Sequence, residues 1–256
     1  MKNKIILIIL IVILAAAVGL ACFELWSEYK EREKEINDFK ELALIAESTE
    51  QTGGADSVEE PYMSCYDEKH NIGKLREINK DCIAWITIPD TSISYPVMLT
   101  PDNPQKYLRA NFYGEYSMSG IPFADANSSP YCTNMIIYGH NMKNETMFSD
   151  LTKYVGKDFC DKHPVICLET ETEAREYRVF TAALVDKSDK WYDFSNADDE
   201  RDFSLKVESL LLRALYKTEI MPMYGDRFIT LSTCCGSNSS DRIIVVAVDT
   251  TMKRGR

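Results

Sequence analysis

The run Ile229-Thr230-Leu231-Ser232-Thr233-Cys234 is followed, eight residues after its cysteine, by Arg242-Ile243-Ile244-Val245-Val246-Ala247-Val248. Both stretches are apolar and rich in β-branched residues over the length of a strand, which predicts two strands at 227–232 and 242–248. If these pair, the seven residues between Cys234 and Arg242 form a connection that brings the two side chains together. A third strand-like run, Asn134 to Tyr138, leads into Gly139-His140-Asn141, and Gly139 is expected to let the backbone turn sharply before the histidine.

Working outward, alternating or apolar runs at Ile83–Ile88, Ser92–Leu99, Gly120–Ala124, Val165–Glu169 and Tyr177–Val185 bring the total to eight strands. Helical spacing is visible at Lys69–Lys80, near Met147–Tyr154, and from Ser195 to Tyr216, where Phe203, Val207, Leu210 and Leu211 make an apolar face. Many short strands with few helices favour a closed barrel or a sandwich.

The N-terminal part of the chain differs from the rest. Lys2 and Lys4 precede an uncharged run from Ile5 to Phe23, whose helical length of about 28 Å matches the hydrocarbon thickness of a bilayer. The run is longer than the core of a cleaved signal peptide, and the lysine placement puts the N-terminus in the cytoplasm. Residues 24–60 read as a helical stalk followed by a flexible linker, the linker at 48–60 having almost nothing to bury. The domain reading is thus a tail at 1–4, an anchor at 5–23, stalk and linker at 24–60, and one folded domain at 61–256.

The chain of 256 residues has net charge −11 and only a short basic cluster, at 253–256, which argues against nucleic acid as a partner. Its eight cysteines show no CxxC or zinc-ligand spacing, and their pairing is left open. Cys82 and Cys167 are expected as small buried apolar residues. His70 and His163, and the carboxylates Glu115, Asp125 and Asp150, are read as surface groups.

Cys234 is the candidate nucleophile, because a thiol near a cationic neighbour yields the reactive thiolate. Arg242 stays charged at any working pH and can donate to a developing oxyanion. His140 is the candidate acid/base.

Thr230-Leu231-Ser232-Thr233-Cys234, Arg242 and Tyr138-Gly139-His140-Asn141 together resemble the sortases, membrane-anchored transpeptidases of Gram-positive cell surfaces. The N-terminal helical extension and the helix late in the domain look most like class B, and the resemblance covers roughly residues 79–248. It implies a mainly β protein, a closed eight-stranded barrel with that extension and a helix inserted late. It also implies a reaction at the outer face of the cell membrane. Cys234 would attack the threonine carbonyl of a C-terminal sorting-signal pentapeptide on a secreted protein. His140 would move the protons, and Arg242 with the backbone N–H of Cys235 would steady the oxyanion. A peptidoglycan amine would then take the acyl group. Ser232, Thr233 and Asn111 are assigned to the substrate groove, with no cofactor, and because the acidic loop residues of the class A calcium site are not matched here, no metal is expected. Cys235 is not part of the motif and is expected to be inert rather than bridged to Cys234. The alternatives are a cysteine endopeptidase that mainly hydrolyses, and a surface scaffold without activity.

Overall fold

The computed structural model describes residues 2–47, 65, 70–236 and 238–251. The expected linker at 48–60 lies outside the described residues. The chain divides into two units, residues 1–45 and 46–256. The first is built from helix α1 (Lys2–Glu47), which runs without a break through the apolar run and the charged stretch after it. Every residue from 6 to 27 of this helix is exposed, leucines and isoleucines included. By length and composition it is the one helix among the described residues able to cross a membrane.

The second unit is a closed barrel of eight antiparallel and parallel strands. They are β1 (Cys82–Thr87), β2 (Ser94–Met98), β3 (Phe123–Ala124), β4 (Asn134–Tyr138), β5 (Val165–Thr170), β6 (Ala174–Asp186), β7 (Phe228–Cys234) and β8 (Asp241–Asp249). Around the barrel the order is β1-β2-β3-β4-β7-β8-β6-β5. Closure leaves no open sheet edge. Two neighbouring pairs, β2 with β3 and β4 with β7, are parallel. The β4/β7 pair decides the position of the site: parallel strands end on the same rim, and the antiparallel β8 starts there. Three segments distant in sequence therefore meet at one mouth of the barrel.

The helices are shorter than their sequence pattern predicts. Helix α2 (Ile72–Ile78) replaces the expected 69–80, because Asn71 caps it, its Oδ1 accepting from Lys74 N at 3.0 Å. The stretch near Met147–Tyr154 is a 3₁₀ turn at Ser149–Val155, followed by helix α3 (Lys157–Lys162). Helix α4 (Glu200–Leu211) starts only after Asp199, whose side chain accepts from Asp202 N at 2.8 Å. It ends where Ala214 bridges to Ala183 and Leu215 N donates to the carbonyl of Ala182, so pairing with β6 overrides helix propensity there. Phe203, Val207 and Leu210 of α4 pack on Trp191, Phe194 and Phe228 as one core cluster.

Cys167 is buried as expected but is not a free thiol, and the surface assignments of His70, His163 and Asp150 are corrected. Cys167 is bonded to Cys65, 102 residues away, with Cα atoms 5.4 Å apart. Cys82 is buried and free as expected, and burial pushes its thiol up to about 12. His70 is buried, stacked on Trp85 and paired with Glu169, which receives both its Nδ1 at 2.9 Å and its backbone N–H at 2.7 Å. His163 is half-buried, its Nδ1 donating to the Pro89 carbonyl at 3.1 Å. Asp150 is buried too, accepting from Ser92 N and Oγ and pairing with Lys153 at 2.7 Å. These bonds hold its carboxyl below the usual range against the cost of burial.

Candidate active site

The parallel register of β4 and β7 sets Tyr138 opposite Ser232, and Gly139 N continues the ladder by donating to the Ser232 carbonyl at 3.1 Å. His140 then leaves the sheet on the rim where β7 ends at Cys234. The antiparallel β7/β8 register places Arg242 directly opposite Cys234. The juxtaposition expected from the seven-residue connection is present. Gly139 has a different reason from the one predicted. Its φ is not positive, but a Cβ there would lie 2.6 Å from the ring of Phe148, so the glycine permits close packing behind the histidine.

These residues share a cleft of about 370 Å³, lined by His140, Tyr192, Ser232, Thr233, Cys234 and Arg242. This size falls in the range of ligand-binding clefts. Cys234 is exposed in it. Two cross-links lock the rim. Asn141 Nδ2 donates to the Cys234 carbonyl at 3.1 Å, and Thr233 Oγ1 donates to the Gly139 carbonyl at 2.7 Å. Thr233 thus ties β7 to the histidine segment besides lining the cleft.

His140 is half-buried, and its Nε2 lies 2.9 Å from the carbonyl oxygen of Leu108. Burial depresses its pKa first, and the positive charges of Arg109 and Arg242 add to the depression, while the Leu108 bond opposes it. The neutral imidazole is the favoured form at neutral pH. Arg242 Nη1 donates to the carbonyls of Ser239 and Asp241 at 2.8 and 2.9 Å, which holds the guanidinium root against the β7–β8 loop.

Two expected residues are placed otherwise. The backbone N–H of Cys235 donates to the Asp241 carbonyl at 3.0 Å, as a rung that closes the β7–β8 hairpin, so this donor is already engaged. The Cys235 thiol is pushed up by burial and by the Asp241 carboxylate, and Cys234 and Cys235 are both free thiols. Asn111 does not line the cleft. Its Oδ1 accepts from Tyr113 N and Glu115 N at 3.0 and 2.9 Å, which makes it the organiser of its own turn.

The structure adds groups to which the sequence assigns no role. Tyr192 sits on a 3₁₀ turn, Lys190–Asp193, between β6 and β7, and its hydroxyl is 2.8 Å from Ser232 Oγ. Burial pushes that phenol up to about 12, so it stays protonated. Tyr138, opposite it, donates to Asp125 at 3.2 Å, which makes Asp125 a cleft residue rather than a plain surface carboxylate. The turn bearing Tyr192 is held by a buried chain: Trp191 Nε1 donates to Thr230 Oγ1 at 2.9 Å, and Thr230 donates to Asn134 Oδ1 at 2.7 Å. Asn134 Nδ2 in turn donates to the Phe194 carbonyl at 2.9 Å. The only sequence signal for this wall is a Trp-Tyr pair in an otherwise polar stretch. Among the described residues, no group of three or more His, Cys, Asp or Glu side chains is placed to hold a metal ion.

The sortase domain family matches residues 86–250, well over half of the chain. The chain therefore belongs to the sortase family. Its relatives place it with class B. It is 36% identical over 162 residues to sortase B of Listeria monocytogenes, a match covering 62% of this chain and 65% of that protein, slightly under two thirds of its length. It is 31% identical over 179 residues to sortase B of Staphylococcus aureus, covering 68% of this chain and 72% of the relative. Sortase B from B. anthracis superposes with a TM-score of 0.71 at 26% identity, covering 86% of this chain and 98% of that one.

Proposed function

We propose that this chain is a membrane-anchored cysteine transpeptidase that joins secreted proteins to a peptidoglycan amine. The single observation that carries the reading is the pairing of Cys234 with Arg242 across β7 and β8, in one cleft with His140. Cys234 Sγ attacks the carbonyl carbon of the threonine in a C-terminal sorting-signal pentapeptide. The oxyanion that forms is stabilised by the Arg242 guanidinium, whose charge needs no proton transfer and whose fork has donors besides the Nη1 held by Ser239 and Asp241. Collapse breaks the C–N bond, His140 gives a proton to the departing amine, and a thioester remains on Cys234. A peptidoglycan amine then loses a proton to His140, attacks the thioester and releases the thiol. Ser232, Thr233 and Tyr192 form the wall along which the peptide lies. Cys235 N–H joins the oxyanion site only if it leaves Asp241.

The exposed apolar surface of α1 supports an anchor at 5–23, since so many isoleucines and leucines in water would be unfavourable. Lys2 and Lys4 then face the cytoplasm, residues 24–60 act as stalk and linker, and the catalytic domain at 61–256 works outside the cell.

The test uses the full chain in detergent micelles with quenched fluorescent pentapeptides of the LPxTG, NPxTN and PPxTG types. Cleavage after threonine, absent in Cys234→Ala and giving ligated product when a short glycine peptide is added, is the expected result. Cleavage with no ligation at any amine concentration would replace this reading with a hydrolytic endopeptidase. No cleavage of any peptide by a folded chain whose Cys234 still alkylates would favour a scaffold.

A further inference from the structure

His140 has two ring nitrogens, and the reaction proposed above needs only one of them to move protons. We infer that the Leu108 carbonyl fixes His140 as the Nε2–H tautomer, making Nδ1 the nitrogen that exchanges protons with Cys234 and the amines, and that Gly120 is the positioning residue that seats this carbonyl. The inference rests on the transpeptidase reading for its chemistry, but its geometry stands apart from it.

A backbone carbonyl can only accept a hydrogen bond, so the 2.9 Å approach of Nε2 to the Leu108 oxygen requires the proton on Nε2. In the neutral ring the lone pair is then on Nδ1. Each proton step is balanced through that atom. The Sγ–H bond of Cys234 breaks as Nδ1–H forms. That proton passes to the amine nitrogen as the peptide C–N bond breaks, which returns Nδ1 to its lone pair. In the second half, Nδ1 takes a proton from the incoming amine as the new C–N bond forms, and gives it to Sγ as the thioester C–S bond breaks. Throughout, Nε2–H stays on Leu108, and in the imidazolium stage that bond becomes charge-assisted.

The carbonyl is held by a compact loop. Leu108 ends a 3₁₀ turn, Lys106–Leu108, and the segment at 117–121 folds back under it. Ile121 N donates to the Tyr107 carbonyl and Ser117 N to the Arg109 carbonyl, both at 3.1 Å, flanking Leu108 on either side. Gly120 sits beneath, with φ +56° and its own N–H on Ser117 Oγ at 3.1 Å. A Cβ on Gly120 would lie 2.5 Å from the Tyr107 oxygen and 2.7 Å from the Leu108 oxygen. Those neighbours are backbone, so any side chain here displaces the acceptor on which Nε2 depends. Gly114, in the same loop with φ +81°, has open space around its missing Cβ and provides the matched control.

The experiment labels the three histidines of the full chain with ¹⁵N in micelles and assigns His140 by its loss in His140→Gln. A slowly exchanging proton on Nε2 with an unprotonated Nδ1 is expected at neutral pH. A proton on Nδ1, or an averaged signal, overturns the assignment. Gly120→Ala is expected to lose the Nε2–H signal and at least tenfold in kcat while Cys234 still alkylates. The acid limb of its kcat/KM profile moves further down, because the Leu108 bond is what opposes the depression of His140 by burial and the two arginines. Gly114→Ala keeps the signal and stays within twofold of wild type. Equal losses in the two alanine variants, or an unchanged Gly120→Ala, overturn the role of Gly120. Cleavage surviving in Cys234→Ala sinks the functional reading and the proton exchange assigned to Nδ1 with it, whereas an Nδ1–H signal with Cys234-dependent cleavage sinks only the tautomer.

Discussion

Two histidines sit at different places on one barrel in contrasting surroundings. On the β1/β5 side, His70 is buried against Trp85 with Glu169 accepting both its ring and its backbone N–H. At the β4/β7 rim, His140 borders a cleft, bonds only a neutral carbonyl through Nε2, and faces the charges of Arg109 and Arg242. A carboxylate partner and a stacked ring immobilise an imidazole, while a carbonyl partner on one nitrogen with cations nearby leaves the other nitrogen basic and the ring neutral. The first arrangement holds a fold together; the second is suited to proton transfer.

The contrast is sharpest in paired substitutions. His140→Ala, like Cys234→Ala, should lower kcat/KM on the order of 10⁴-fold or more, because groups that act as one unit fail together. Neither should move the melting temperature appreciably. Removing the Cys65–Cys167 bond by Cys65→Ser should cost about 2–5 kcal/mol in denaturant unfolding, since the bridge closes a long loop near the His70 side. Activity per folded molecule should persist, and a matching loss of kcat would mean that the two regions are not independent.

Smaller effects follow. Arg242→Lys keeps the charge but loses the planar fork, and kcat should fall about 10²-fold with little change in KM. Glu169→Gln should destabilise by about 1–3 kcal/mol by weakening a buried pair, with kcat unaltered. The acid limb of kcat/KM should lie below 6.5, the ordinary histidine value, because burial and the two arginines depress His140. As pH falls, protonation removes the base only after that lower value is passed. A limb above 6.5 would place His140 beside a carboxylate instead. Tyr192→Phe should have the smallest effect, a few-fold rise in KM from the lost bond to Ser232, worth about 1 kcal/mol.

The strand runs and the corner that sets Cys234 beside Arg242 were legible because β-branched runs mark strands locally, and these two residues end and begin two strands separated by a short connection. His70 was not legible as a buried group, since its partner Glu169 lies 99 residues away in sequence. Cys167 was legible as a buried strand residue but not as a bonded one, its partner being 102 residues distant. The Leu108 carbonyl carries no sequence signal at all, because every residue has one. Asn111 misled because asparagine serves turns as readily as substrates, and here its own loop takes its side-chain oxygen. The ends of α4 were overextended because apolar spacing continues to Leu215, while the β6 edge captures residues 214 and 215.

In the reaction proposed above, Cys234 carries the acyl group between two amines. Intact mass measurement of the full chain, quenched during turnover of a cleaved pentapeptide, tests it most directly. An adduct of the peptide's N-terminal fragment on Cys234 is expected, discharged to ligated product when a glycine peptide is added. An adduct on Cys235 or any other residue, or turnover with no adduct in a Cys234→Ala chain, would contradict it.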